Sequence, residues 1–76
     1  MNRKPHWKRE RVSGTLAHIY FDEHGEMMGF VREQGSPFYI DHWFARAYVP
    51  EHYNGFFVKT LAEGKAIVED ALARGR

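Results

Sequence analysis

Apolar and polar positions alternate along most of this chain, then change period near residue 60. Leu61, Gly64, Ile67, Val68, Ala71 and Leu72 recur at steps of three and four, which places them on one face of a helix. Glu63, Glu69, Asp70 and Arg74 fall on the opposite face, and Gly75 stands where a left-handed C-terminal cap belongs. Thr60-Leu61-Ala62-Glu63 has the form of a capping box. In it the threonine hydroxyl accepts from the Glu63 amide, and the Glu63 carboxylate reaches back to the Thr60 amide. Gly64 lies inside the apolar stripe at a cost of about 1 kcal/mol against alanine, so the helix is expected to approach its support closely there.

Upstream the period is two. Over 15–21, Ala17, Ile19 and Phe21 share one face of a strand, and Leu16, His18 and Tyr20 share the other. Asp22-Glu23-His24-Gly25 has turn chemistry, and 26–33 returns as a second strand. A four-residue loop pairs Ile19 with Met28 and Ala17 with Phe30. A three-residue loop pairs Ile19 with Met27 and sets Gly29 opposite Ala17, turning the second strand over. The first register is preferred, because it gathers Ala17, Ile19, Phe21, Met28 and Phe30 under the helix.

Gln34-Gly35-Ser36-Pro37 reads as a turn, and Phe38-Tyr39-Ile40 opens a third strand. Over 41–49, Trp43, Ala45, Ala47 and Val49 alternate with Phe44, Arg46 and Tyr48, which favours strand over a short helix capped by Asp41. Residues 50–55 form a loop ending in Asn-Gly, and Phe56-Phe57-Val58 is a short strand feeding the helix cap. The fold class that follows is α+β. An antiparallel β-meander of three to five strands carries one C-terminal α-helix packed on one face.

One helix covers one face of such a sheet. On the preferred register the other face carries Leu16, His18, Tyr20, Met27 and Val31, together with Phe44, Tyr48 or Trp43, and the loop adds Tyr53. Twelve aromatic residues in 76 exceed what one small core hides, and an exposed apolar patch marks a binding surface or a dimer interface. The competing expectation is a sheet curled into a small barrel that buries both faces.

Length and charge refine this picture. Seventy-six residues make one domain near the lower limit for an unassisted core, and the absence of cysteine excludes disulfides and thiolate zinc sites. Neither a signal-peptide pattern nor an apolar run of membrane-spanning length is present, so a cytoplasmic location without membrane contact is expected. The net charge of +1 conceals a division. Residues 1–11 carry Arg3, Lys4, Lys8, Arg9 and Arg11 against Glu10, a balance of +4, and the rest of the chain balances at −3. Residues 1–11 are read as a basic mobile arm with Trp7 its one large apolar group, and 12–76 as a single small α+β domain.

Catalytic chemistry finds no constellation. Ser13 and Ser36 sit in turns without an implied base, and Asp22, Glu23 and Glu26 cluster at a solvated hairpin tip. His18, His24, His42 and His52 lack metal-ligand spacing, so neither metal nor cofactor is expected.

Two resemblances bear on function. The segment 55–71, with Phe57, Lys59-Thr60-Leu61 and Glu63, resembles the endings of many small phage and prophage proteins, where a strand runs through a Thr-Leu cap into a short helix. That resemblance implies a non-enzymatic accessory protein that binds and modulates or inhibits a host protein or nucleoprotein complex. Gly14, Tyr20-Phe21, Gly29-Phe30-Val31 and Phe38-Tyr39-Ile40-Asp41-His42 are similar to the glycine, aromatic pair and two strand motifs of cold-shock domains. Met27-Met28 stands in place of a glycine–aromatic pair there, and Glu26 in place of a basic residue. This second resemblance implies single-stranded nucleic-acid binding, with Tyr20, Phe30, Phe38 and Tyr39 stacking on bases. The basic arm would contribute Arg3, Lys4, Lys8, Arg9 and Arg11 to phosphates and Trp7 to a base. A macromolecular partner is therefore expected, protein ahead of nucleic acid, and a homodimer through the sheet face is compatible with it.

Overall fold

The computed structural model describes residues 4–36, 39–49 and 55–74. Five strands, β1 (His6–Val12), β2 (Thr15–Phe21), β3 (Met27–Ser36), β4 (Tyr39–Ala47) and β5 (Phe56–Val58), precede one helix, α1 (Leu61–Arg74). The strands form a single antiparallel sheet in the order β1-β2-β3-β4-β5. The fold is an α+β meander with the helix packed across one face. The stretch 41–49 is extended to Ala47 within β4, as its alternation requires. The sheet does not close, since β1 and β5 lie at its two edges.

The basic arm is corrected from His6 onward. Ser13 (φ 53°) and Gly14 (φ 81°) are both left-handed. Such a pair makes the two-residue turn whose twist matches a hairpin. It folds β1 back on β2 with Val12 opposite Thr15 and Trp7 opposite Tyr20. The strand escaped pattern reading because it is an edge strand, with charged residues on both faces from Lys8 to Arg11.

The β2–β3 register is also corrected. Ile19 pairs with Phe30 and Ala17 with Arg32, and a bulge between Tyr20 and Phe21 sets Phe21 opposite Met27. The cause lies in the turn. Asp22 is buried, and its Oδ1 accepts from the amides of His24 (2.8 Å) and Glu26 (2.9 Å). Its own amide donates to the Glu26 carbonyl, and Gly25 takes the positive φ of 81°. This side-chain-closed loop holds five residues between Phe21 and Met27, more than either expected register allowed.

The largest correction is which face the helix covers. Val31, Ala45 and Ala47 of the sheet and Val68, Ala71 and Leu72 of the helix form the core, flanked by Trp7, Tyr20, Met28, Trp43, Val49 and Leu61. Ala17, Ile19 and Phe30 therefore lie on the uncovered side. The helix chose the face with the smallest central residues. A Cβ placed on Gly64 would stand 2.7 Å from Val31 Cγ1, and one on Gly29 2.8 Å from Val68 Cγ1 and 2.8 Å from the Arg46 carbonyl. Backbone-to-sheet contact this close requires glycine on one side and Val or Ala on the other.

At the helix start the Thr60 hydroxyl accepts from the Glu63 amide (3.1 Å), as a capping threonine does. The return half differs from expectation, since the Thr60 hydroxyl itself donates to the Glu63 carboxylate (3.2 Å). The outer helix face carries the Asp70–Arg74 ion pair at 2.7 Å. Gly75, expected as the C-cap, lies outside the described residues. Among the described residues no helix is long and apolar enough to cross a membrane.

Candidate functional site

The uncovered face is built by alternation. Residues of β2, β3, β4 and β5 that do not meet the helix place Ala17, Ile19, Phe30, Arg32, His42, Phe44, Arg46 and Phe57 side by side. Tyr48 joins them because its amide donates a hydrogen bond to the Met28 carbonyl (2.9 Å), which continues the β3–β4 pairing past Ala47. Phe30 lies 6.1 Å from both Phe44 and Tyr48, and Phe44 lies 5.2 Å from Phe57. His42 meets the Phe57 ring edge-on at 5.1 Å. The rings thus form one continuous surface across three strands.

Two guanidinium groups are set into that surface. Arg32 lies 5.4 Å over the Phe44 ring and Arg46 5.5 Å over the Tyr48 ring. A guanidinium held over a ring keeps its charge and its donors while losing freedom it would otherwise lose on binding. Phe57 is 63% exposed and Tyr48 41%, so the surface faces solvent. Gly55 (φ 74°) seats Phe44, because a Cβ there would fall 2.4 Å from the ring. The acidic helix residues Glu63, Glu69 and Asp70 belong to the element on the other side of the sheet. Glu10 of β1, on the open side, pairs with Lys8 at 3.2 Å.

Beside the rings runs a trough of about 440 Å³, lined by Val12, Ser13, Thr15, Ala17, Ile19, Met27, Phe30, Arg32 and Tyr48. Its floor is apolar, and Ala17 and Ile19 are buried there without help from the helix.

The sequence-derived sites divide across the sheet. Met27, Phe44 and Tyr48 are on the open face as expected for partner binding. Val31 is fully buried under the helix, and Tyr20 packs on Trp7 at 5.0 Å on the same side. Leu16 and His18 share Tyr20's side, the His18 ring meeting Trp43 at 6.0 Å. Of the nucleic-acid set, Phe30 is on the open face, but Trp7 is not available for stacking. Its indole donates to Glu69 (3.2 Å) beneath the Lys65 ammonium (5.3 Å). Lys8 points to the open side, while Arg9 and Arg11 alternate to the other. Lys4 is exposed just before β1, and Tyr39 opens β4. Arg3, Phe38 and Tyr53 lie outside the described residues. Sequence reasoning missed Arg32, Arg46 and Phe57. The signal was their shared alternation with Phe44, opposite to the small residues Ala45 and Ala47.

Among the described residues no cluster of three or more His, Asp or Glu is placed to hold a metal ion. On the helix side, burial first, then the charges of Lys65 and Arg9, hold the pKa of His18 below its ordinary 6.5, and Glu33 opposes them. The folded state therefore binds this proton less readily than the unfolded chain. Stability is fully present above about pH 6.5 and falls as acid is added through the lower folded-state value. Thermal melts from pH 7.5 to 5 should show this decline, and His18→Gln should flatten it; an equal decline in the variant would assign it elsewhere.

The fold and this surface define an α+β meander with one helix-covered face and one aromatic, cationic open face. Comparison with family models, with curated proteins and with solved structures gave no match.

Proposed function

We propose that this protein is a non-enzymatic binding module whose open sheet face engages single-stranded nucleic acid. The observation that carries the reading is the pair Arg32 and Arg46, each over an aromatic ring, beside the exposed Phe57. Aromatic faces accept unpaired bases whatever their identity, and guanidinium groups between them neutralise the phosphates that follow the strand. Protein partners also use Phe, Tyr and Arg, but an acidic strand matches an open face that sets guanidinium groups over its rings. The role of the N-terminal basic residues narrows, because β1 directs only Lys8 toward this face.

A second reading keeps the accessory-protein expectation, in which a host protein is bound and modulated. It is favoured by β5, an edge strand where Phe56 (45% exposed) and Phe57 show aromatic surface on both sides of the sheet.

Titrating a labelled single-stranded oligonucleotide across a salt series separates the two. With Arg32 and Arg46 each neutralising one phosphate, log Kobs should fall against log salt with a slope of about −1.4. Absence of binding at low salt would overturn the nucleic-acid reading and leave the protein-partner reading in its place. Truncation of residues 1–11 is not a clean test, since it removes nearly all of β1.

A further inference from the structure

The aromatic surface explains stacking, but it does not use the trough beside it. Resting on the nucleic-acid reading above, we infer that this trough is a base-binding subsite, which takes one unpaired nucleobase out of the strand lying on the rings. Four observations place a base there. The cavity of about 440 Å³ lies within the size range of small-molecule sites. Its floor, Ala17 and Ile19, is apolar and offers no donor to a phosphate. Arg32 belongs both to the trough lining and to the ring surface, so a phosphate held by that guanidinium delivers its own base to the trough mouth. Tyr48 and Phe30 wall the trough with rings already part of the stacking surface.

The polar rim supplies an edge to read. Ser13 and Thr15 carry hydroxyls that donate or accept, suited to the Watson–Crick edge of a base. Ser13 also holds a left-handed φ of 53°, where asparagine or glycine is the usual hairpin residue. The turn therefore sets a hydroxyl on the rim at a position that glycine or asparagine would fill with less strain. The occupant is thus a planar, uncharged heterocycle attached to an anion, and a duplex, whose bases stay stacked and paired, is excluded from the trough.

The test uses the wild-type chain first. An oligonucleotide carrying 5-iodouracil is irradiated on the protein, and the cross-linked peptide is identified by mass spectrometry. Attachment at Met27 is expected, and attachment confined to Phe30, Phe44, Tyr48 or Phe57, the rings of the stacking surface, would overturn the subsite while leaving that surface standing. The second arm is Ala17→Leu, which fills the trough from its floor, with circular dichroism and a thermal melt confirming the fold. Its affinity for a base-bearing strand should drop about tenfold or more, while its affinity for an abasic strand of the same length stays that of wild type. Wild-type affinity of the folded variant for the base-bearing strand would refute the subsite. Failure of the wild type to bind any strand at low salt would instead remove the reading beneath it. A dimer in sedimentation with the iodouracil probe unreactive would assign the trough to a second copy and likewise overturn the inference.

Discussion

Gly64→Leu should unfold this protein about 12 °C below wild type, although leucine is the better helix former. By helix propensity alone the change is favourable by nearly 1 kcal/mol. Against it stand Val31 Cγ1 at 2.7 Å, Val31 Cγ2 at 3.1 Å and Val58 Cγ2 at 3.3 Å from the first added carbon. Val31 is fully buried and Val58 nearly so, so neither can withdraw without opening the interface between helix and sheet. Overpacking of this kind costs about 3 kcal/mol, a large share of the stability of a 76-residue domain. At the size of this domain each kcal/mol shifts the midpoint by roughly 4–8 °C, and the net loss after the propensity gain gives the figure above. Gly64→Ala should lose less, because it adds one carbon. A leucine variant melting with wild type would mean that the helix does not rest on Val31.

Phe57→Ala should have the largest effect on binding with the least effect on folding. The ring is 63% exposed, so its removal leaves the melting temperature near that of wild type. It is nonetheless the outermost ring of the open surface, 5.2 Å from Phe44 and 5.1 Å from His42. Loss of one stacking platform lowers affinity for single strands about tenfold or more and leaves the salt slope unchanged, since no phosphate contact is removed. Arg32→Ala should do the reverse to the slope, making it shallower by about 0.7. Fluorescence titrations of both variants at several salt concentrations check the pair. Equal affinity of Phe57→Ala and wild type would remove stacking from the mechanism.

These two substitutions also mark where sequence reading succeeded and where it stopped. Gly64 was legible as a point of close approach, because a glycine in an apolar stripe has few other reasons to be there. Phe57 was legible only as a strand residue, since three residues do not reveal which side of a sheet they face. The open face itself was expected, and its membership was not. Ala17, Ile19 and Phe30 were assigned to the helix with Phe21 and Met28, because the preferred register gathered these five on one face. The helix instead selected the side whose central positions are Gly29, Val31, Ala45 and Ala47, where two backbones can meet. Large apolar residues were then left to line a trough and a ring surface.

By itself the sequence determined the elements. Period two specified β2, β4 and β3 as far as Glu33, although 34–36, read as a turn, belong to β3; period three to four specified α1, Thr60 placed its start, and Ser13-Gly14 and Asp22–Gly25 marked turns. Each of these is a local property, set by side-chain spacing or by backbone freedom within a few residues. Tertiary structure alone decided the recruitment of β1 as an edge strand and the side on which α1 lies. Those depend on contacts between residues far apart in the chain. A gap that only glycine, alanine and valine leave open drew the helix, whereas the β2–β3 register was shifted one residue by the locally closed Asp22 loop and one by the bulge at Tyr20/Phe21. The placement of Arg32, Arg46, Phe44 and Phe57 on one surface followed from that choice of side.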